Sequence, residues 1–166
     1  MKALLWLDEN LEKVICVLLL SSMTGIIFLQ FVMRRVFNNS LVWSEELARY
    51  MFIWLVFIGI SYGAKLIRHI KLEAVVEKMP AKARPYFYLL GDLMFLYYVL
   101  YILYVSIEVV QMQMRINQTS PAMGIPFAVV YAAPTVGFAL TAIRQVQVII
   151  PSVKKLISAK GGEVNG

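Results

Sequence analysis

The residues of this sequence best placed to do chemistry are Trp43, Ser44, Glu45, Glu46, Leu47, Ala48 and Arg49, which lead straight into the apolar segment 50–64. Two adjacent carboxylates and a guanidinium at the mouth of such a segment are costly unless water, another protein or one another compensates them. Glu45 and Arg49 are four apart, so a helix places the acid one turn before the base, the favourable order for an ion pair. Trp43, Leu47 and Tyr50 fall on roughly the opposite side, suited to a membrane boundary. The available chemistry is therefore ionic and hydrogen-bonding. One reading is an ordinary interfacial ion pair, worth ~0–1 kcal/mol. The other is a docking site for a second protein.

Little else suggests catalysis. A single cysteine, Cys16, allows no disulfide within the chain and no zinc-type spacing. A single histidine, His69, rules out bis-histidine haem ligation. Neither a Gly-rich phosphate loop nor a Ser-His-Asp set can be assembled. We expect no enzyme activity, cofactor or metal. Asp92 and Glu108 lie inside a later apolar run, away from its middle, where a structural hydrogen bond or interfacial solvation is the expected role. Arg68, His69 and Lys71, in the most basic stretch, suit anchoring at the membrane surface, as does Trp6 near the start.

These residues need elements to hold them, and composition says which. Of 166 residues, 60% are hydrophobic and 16% charged; soluble domains are nearer ~25% charged. The apolar residues cluster into four runs, at about 14–33, 48–66, 86–110 and 125–143. The first is uncharged and reaches ~30 Å as a helix, the thickness of the hydrocarbon core. It is too long for a signal-peptide core and lacks a small-x-small cleavage site, so it reads as a retained helix. The expected fold is an all-α integral membrane protein, one domain over 1–166 with four transmembrane helices. Short amphipathic interfacial helices are expected at 1–13, 36–49 and 72–79.

Local signals fill in the outline. Ser44 is a plausible N-cap with acids in the following turn. Ser21 with Gly25, and Gly59 with Gly63, are small-xxx-small pairs that let another helix backbone approach closely. Pro134 should kink the last span, with Ala133 and Gly137 as small residues beside it. Residues 158–166 are expected to form a flexible tail. Of the 16 lysines and arginines, 12 fall on the side that holds both termini and 4 on the other. The positive-inside rule then puts both termini in the cytoplasm, with 43–49 and 111–124 facing outward.

With these residues in view, the chain resembles a known family over about residues 5–150. The marks are Arg34-Arg35 closing the first span, Trp43-Ser44-Glu45-Glu46-Leu47-Ala48-Arg49-Tyr50, Phe57-Ile58-Gly59 and Arg68-His69-Ile70. Met79-Pro80 and Ser120-Pro121-Ala122-Met123-Gly124-Ile125-Pro126, followed by Tyr131 and Pro134, complete them. The family is the small (Q) membrane subunit of tripartite ATP-independent periplasmic (TRAP) transporters. The resemblance implies a bacterial inner-membrane scaffold for a large (M) subunit, which carries the transport path and sodium sites. It also implies a periplasmic binding protein that delivers an organic acid such as a C4-dicarboxylate, sialic acid or sugar acid. Neither direct substrate binding nor nucleic-acid binding is expected of the small subunit. Trp43, Glu45, Glu46, Arg49, Gly59 and Gly63 are the candidate contacts to the large subunit, and Arg115 to the binding protein. The competing expectations are a self-sufficient homo-oligomeric transporter or channel and the membrane anchor of a redox enzyme. A four-span junction protein is disfavoured by outward loops without cysteine.

Overall fold

The computed structural model describes residues 2–66, 80 and 83–163. Four helices account for nearly all of them: α1 (Lys2–Val36), α2 (Val42–Leu66), α3 (Arg84–Ile116) and α4 (Phe127–Glu163). Each contains a stretch long and apolar enough to cross a membrane: Asn10–Val36, Val42–Ala64, Arg84–Ile116 and Phe127–Lys154. Helices are the natural outcome for such segments, because a lipid-exposed backbone must satisfy its own hydrogen bonds.

The helices run longer than the apolar runs alone suggest. Residues 2–13, expected as a separate surface helix, continue into the first span without a break. The approach to the second span likewise belongs to α2, which begins at Val42. α4 passes through Pro134 and Pro151 and reaches Glu163, into the segment expected to be a tail. Extending an existing helix adds a hydrogen bond per residue without the cost of a new nucleus, so short polar flanks join the helix they adjoin. Each internal proline lacks an N–H, so Val130 and Gln147 lose the donor four residues ahead. The helix expected at 72–79, and Arg68, His69 and Lys71, lie outside the described residues. Trp6 falls within the backbone of α1.

The α1–α2 connection is made by a left-handed residue. Asn38 sits at φ 51°, and the amides of Phe37 and Asn39 both donate to the Met33 carbonyl, at 3.2 and 3.1 Å. Asparagine tolerates this conformation better than most residues. Ser44 is not the N-cap. It lies in the first turn, fully buried, and its hydroxyl donates back to the Leu41 carbonyl at 2.6 Å.

α2 packs on α1 and on α4, and α4 packs on α3. The order in space is therefore α1–α2–α4–α3, with α1 and α3 at the edges. A close backbone approach joins α2 to α4. A Cβ added to Gly137 would stand 2.6 Å from the Phe57 carbonyl oxygen and 2.8 Å from the Phe57 Cβ. Ala133 and Thr141, one turn to either side, are fully buried, and the Thr141 hydroxyl donates to the Gly137 carbonyl at 2.8 Å. Ile58 and Ser61 are the buried residues of α2 near this crossing. Phe57 and Phe138 flank it with ring centroids 6.0 Å apart. Small residues let the backbones meet, and dispersion then stabilises the pair. Gly59 and Gly25 are not used this way within the chain: a Cβ on either would meet nothing within 4 Å.

Candidate functional site

The 43–49 motif forms the first two turns of α2, at the end of the layer where residues 37–41 and 117–126 join the helices. Its central member is Glu46. The Oε2 atom accepts the backbone N–H groups of Ala122 and Met123, at 3.0 and 3.1 Å. The Oε1 atom accepts the Tyr50 hydroxyl from one turn further along α2. The Tyr50 ring packs edge-on against Phe127 at 6.5 Å, fixing α2 against the start of α4.

The loop is built to present those two amides. Asn117 adopts the left-handed conformation at the C-cap of α3, its N–H bonded to the Gln113 carbonyl. Thr119 and Pro126 form an isolated antiparallel bridge. The Phe127 amide donates to the Gln118 carbonyl and the Ser120 amide to the Ile125 carbonyl, both at 2.9 Å. Gly124 sits at φ +68° and its amide donates to the Ser120 carbonyl at 3.0 Å. Pro121 and Pro126 have no N–H to offer. The Ala122 and Met123 amides at the tip both donate to Glu46, and Met123 also reaches the Ser120 hydroxyl at 3.3 Å. A carboxylate on amide donors makes charge-assisted bonds, stronger than neutral ones. Glu46→Ala should therefore release the loop. Hydrogen exchange at Ala122 and Met123 should accelerate several-fold while the middle of α4 stays protected; unchanged exchange would show the loop holds itself.

The Glu45–Arg49 ion pair allowed by their spacing does not form. Glu45 Oε1 accepts the Gln30 side-chain amide at 2.7 Å, tying α2 to α1. Buried or lipid-facing amides need partners, so a nearby carboxylate from another helix outcompetes a solvated i,i+4 pair. Arg49, Trp43 and Arg115 are exposed at the same end. Gly59 lies about three turns past Arg49 along α2, with an open face.

A second polar cluster, missed by the sequence reading, ties the opposite end. Glu12 of α1 is fully buried and Arg144 of α4 nearly so; Arg144 Nε donates to Glu12 Oε1 at 2.7 Å. Arg144 Nη1 also donates to Gln147 Oε1 at 3.0 Å. Among the described residues α1 and α4 do not meet at backbone distance, so this bridge spans the gap between them. Nearby, Gln145 Nε2 donates to the Asp92 carboxylate at 3.1 Å and to its carbonyl at 3.2 Å, joining α4 to α3. This is the structural hydrogen bond expected for Asp92. Gln30 could have been found from the sequence, as a polar residue inside a span that must seek a partner. Glu12 read as the polar face of a surface helix and Arg144 as a span terminus, and nothing local joins them.

Four membrane-length helices whose polar side chains bind one another at both ends define a polytopic membrane protein. Residues 23–155 match the family described as tripartite ATP-independent periplasmic transporters, DctQ component, and the chain belongs to that family. It is 28% identical over 155 residues to the isethionate TRAP transporter permease protein DctMQ of Oleidesulfovibrio alaskensis, covering 90% of this chain but only 24% of that protein. It is 27% identical over 136 residues to a putative TRAP transporter small permease protein of Haemophilus influenzae, covering 82% and 83% of the two chains. It is also 26% identical over 152 residues to the ectoine TRAP transporter small permease protein TeaB of Halomonas elongata, covering 92% and 77%.

Proposed function

We propose that this chain is the bracing subunit of a TRAP transporter in a bacterial inner membrane. It holds a large permease subunit that carries out ion-gradient-driven, sodium-coupled uptake of an organic acid. A periplasmic binding protein delivers that acid. The observation that carries this reading is where the polar groups go. Glu45, Gln30, Asp92, Gln145, Glu12 and Arg144 bond across helices of this chain, and Glu46 bonds the loop between α3 and α4. Side chains used to make a rigid layer suit a brace better than a solute path, which needs polar groups turned toward a cavity.

The fused DctMQ relative supports the pairing with a large subunit, since its remaining length is one polypeptide with the matched part. Gly59 supports it too: its small size serves no contact among the described residues. Trp43 and Arg49 complete the partner-facing set, with Gly63 one turn past Gly59. Glu45 and Glu46 act through the elements they hold. Arg115 and the loop tip face the binding protein, and both termini lie in the cytoplasm, a reading that the 12-to-4 division of basic residues supports. The surrounding lipid contacts the apolar outer face of α1.

Uptake into proteoliposomes tests this. Vesicles with both membrane subunits and the binding protein should accumulate substrate under a sodium gradient, and vesicles with this chain alone should show no flux. Reversing charge at Glu45 and Glu46 should reduce both co-purification with the large subunit and uptake. Flux through this chain alone would instead establish a self-sufficient homo-oligomer.

A further inference from the structure

The two edge helices expose different chemistry. α1 turns Val17, Leu18, Phe28 and Phe31 outward, side chains without a polar atom. α3 turns outward Leu90, Met94, Tyr97, Tyr101, Tyr104 and Glu108, with Arg115 beyond them. These residues recur at alternating steps of four and three, the spacing of a helix-packing seam. The buried residues of α3 are Val99 and Ser106, which at 3.6 residues per turn lie on the opposite side, against α4. The seam is therefore the face turned away from the rest of the chain.

Tyr97, Tyr101 and Tyr104 are 75%, 57% and 62% exposed. Tyr97 and Tyr101 lie within one turn of the middle of α3, and their hydroxyls have no hydrogen-bond partner among the described residues. Tyrosine suits the membrane boundary, where its hydroxyl reaches water. At mid-span the side chain is too short to reach the boundary, and a hydroxyl in hydrocarbon without a partner is penalised. Glu108, beside Tyr104 on the same face, adds an ionisable group.

We infer that this seam receives a transmembrane helix of the large permease subunit. That helix carries hydrogen-bond acceptors opposite Tyr97 and Tyr101 and a cation or donor at the level of Glu108. The inference rests on the proposed function and specifies its interface. A second copy of this chain fits poorly. Two copies inserted with the same topology pack in parallel, and a two-fold contact would then set Glu108 against Glu108 and Arg115 against Arg115. Lipid fits α1 better than α3. A different helix continues the layer as α1–α2–α4–α3–partner, and its left-handed crossing follows from the seam's spacing.

The test uses this chain co-expressed with its large subunit. A photoreactive phenylalanine analogue replaces Tyr101 in one sample and Phe28 in another. Irradiation should yield a covalent adduct with the large subunit from position 101 and not from position 28. In parallel, Tyr97→Phe with Tyr101→Phe should weaken co-purification without changing the thermal stability of the isolated chain. A self-adduct or a lipid adduct alone at position 101, with the subunits still co-purifying, would overturn the seam and leave the proposed function intact. Failure of the unsubstituted chains to co-purify would overturn both.

Discussion

Arg144→Met should destabilise the chain by ~3–5 kcal/mol, the loss seen when one partner of a buried ion pair is removed. The size follows from what is left behind. Glu12 is fully buried, and its Oε2 already lacks a hydrogen-bond partner among the described residues. Without the guanidinium the carboxylate keeps no charge partner, and α1 loses its bridge to α4. Glu12→Leu should cost less, because Arg144 retains Gln147 at 3.0 Å. The double variant Glu12→Leu with Arg144→Met should recover most of the loss, since replacing a whole buried pair by apolar groups is often neutral. Unfolding by denaturing detergent, followed by helical circular dichroism, measures all three. Equal stability of wild type and both single variants would mean the pair is idle.

Gly137→Ala should cost about 3 kcal/mol, the upper part of the usual range for overpacking. The added methyl would meet the Phe57 carbonyl oxygen at 2.6 Å and carbonyl carbon at 2.9 Å. Backbone atoms cannot rotate away, so α2 and α4 must separate along the crossing. The Phe57–Phe138 contact and the buried positions Ala133 and Thr141 would loosen with it. Gly137→Leu should prevent the native crossing. Gly25→Ala and Gly59→Ala are the matched controls: neither methyl meets an atom of this chain, and alanine favours the helix by up to ~1 kcal/mol. Equal effects at Gly137 and Gly59 in the isolated chain would refute this account of the crossing.

The spans were legible because each carries its own evidence. Apolar length and the placement of charge are properties of a segment, whatever it packs against. The 43–49 motif was legible as a polar anomaly at a span mouth, yet its partners were not. Glu46 binds amides 76 and 77 residues away, and Glu45 prefers Gln30 to the arginine one turn on. The boundaries expected for the helices at 1–13 and 36–49 differ from those observed for a related reason. Amphipathic spacing marks a helix but not its boundary, and a neighbouring span extends through it.

Small residues show the same division. Gly59 with Gly63 was the visible motif, whereas the close approach falls at Gly137, noticed only as a neighbour of Pro134. By itself the amino-acid order determined that this is a helical protein of four membrane-length segments, because a bilayer forces each segment to satisfy its backbone locally. Only the tertiary structure decided which helices adjoin, and so which glycine is crowded, which acid meets Arg144 and which face of α3 is left open. Those outcomes depend on the rotation and order of helices distant in sequence, which no single segment encodes.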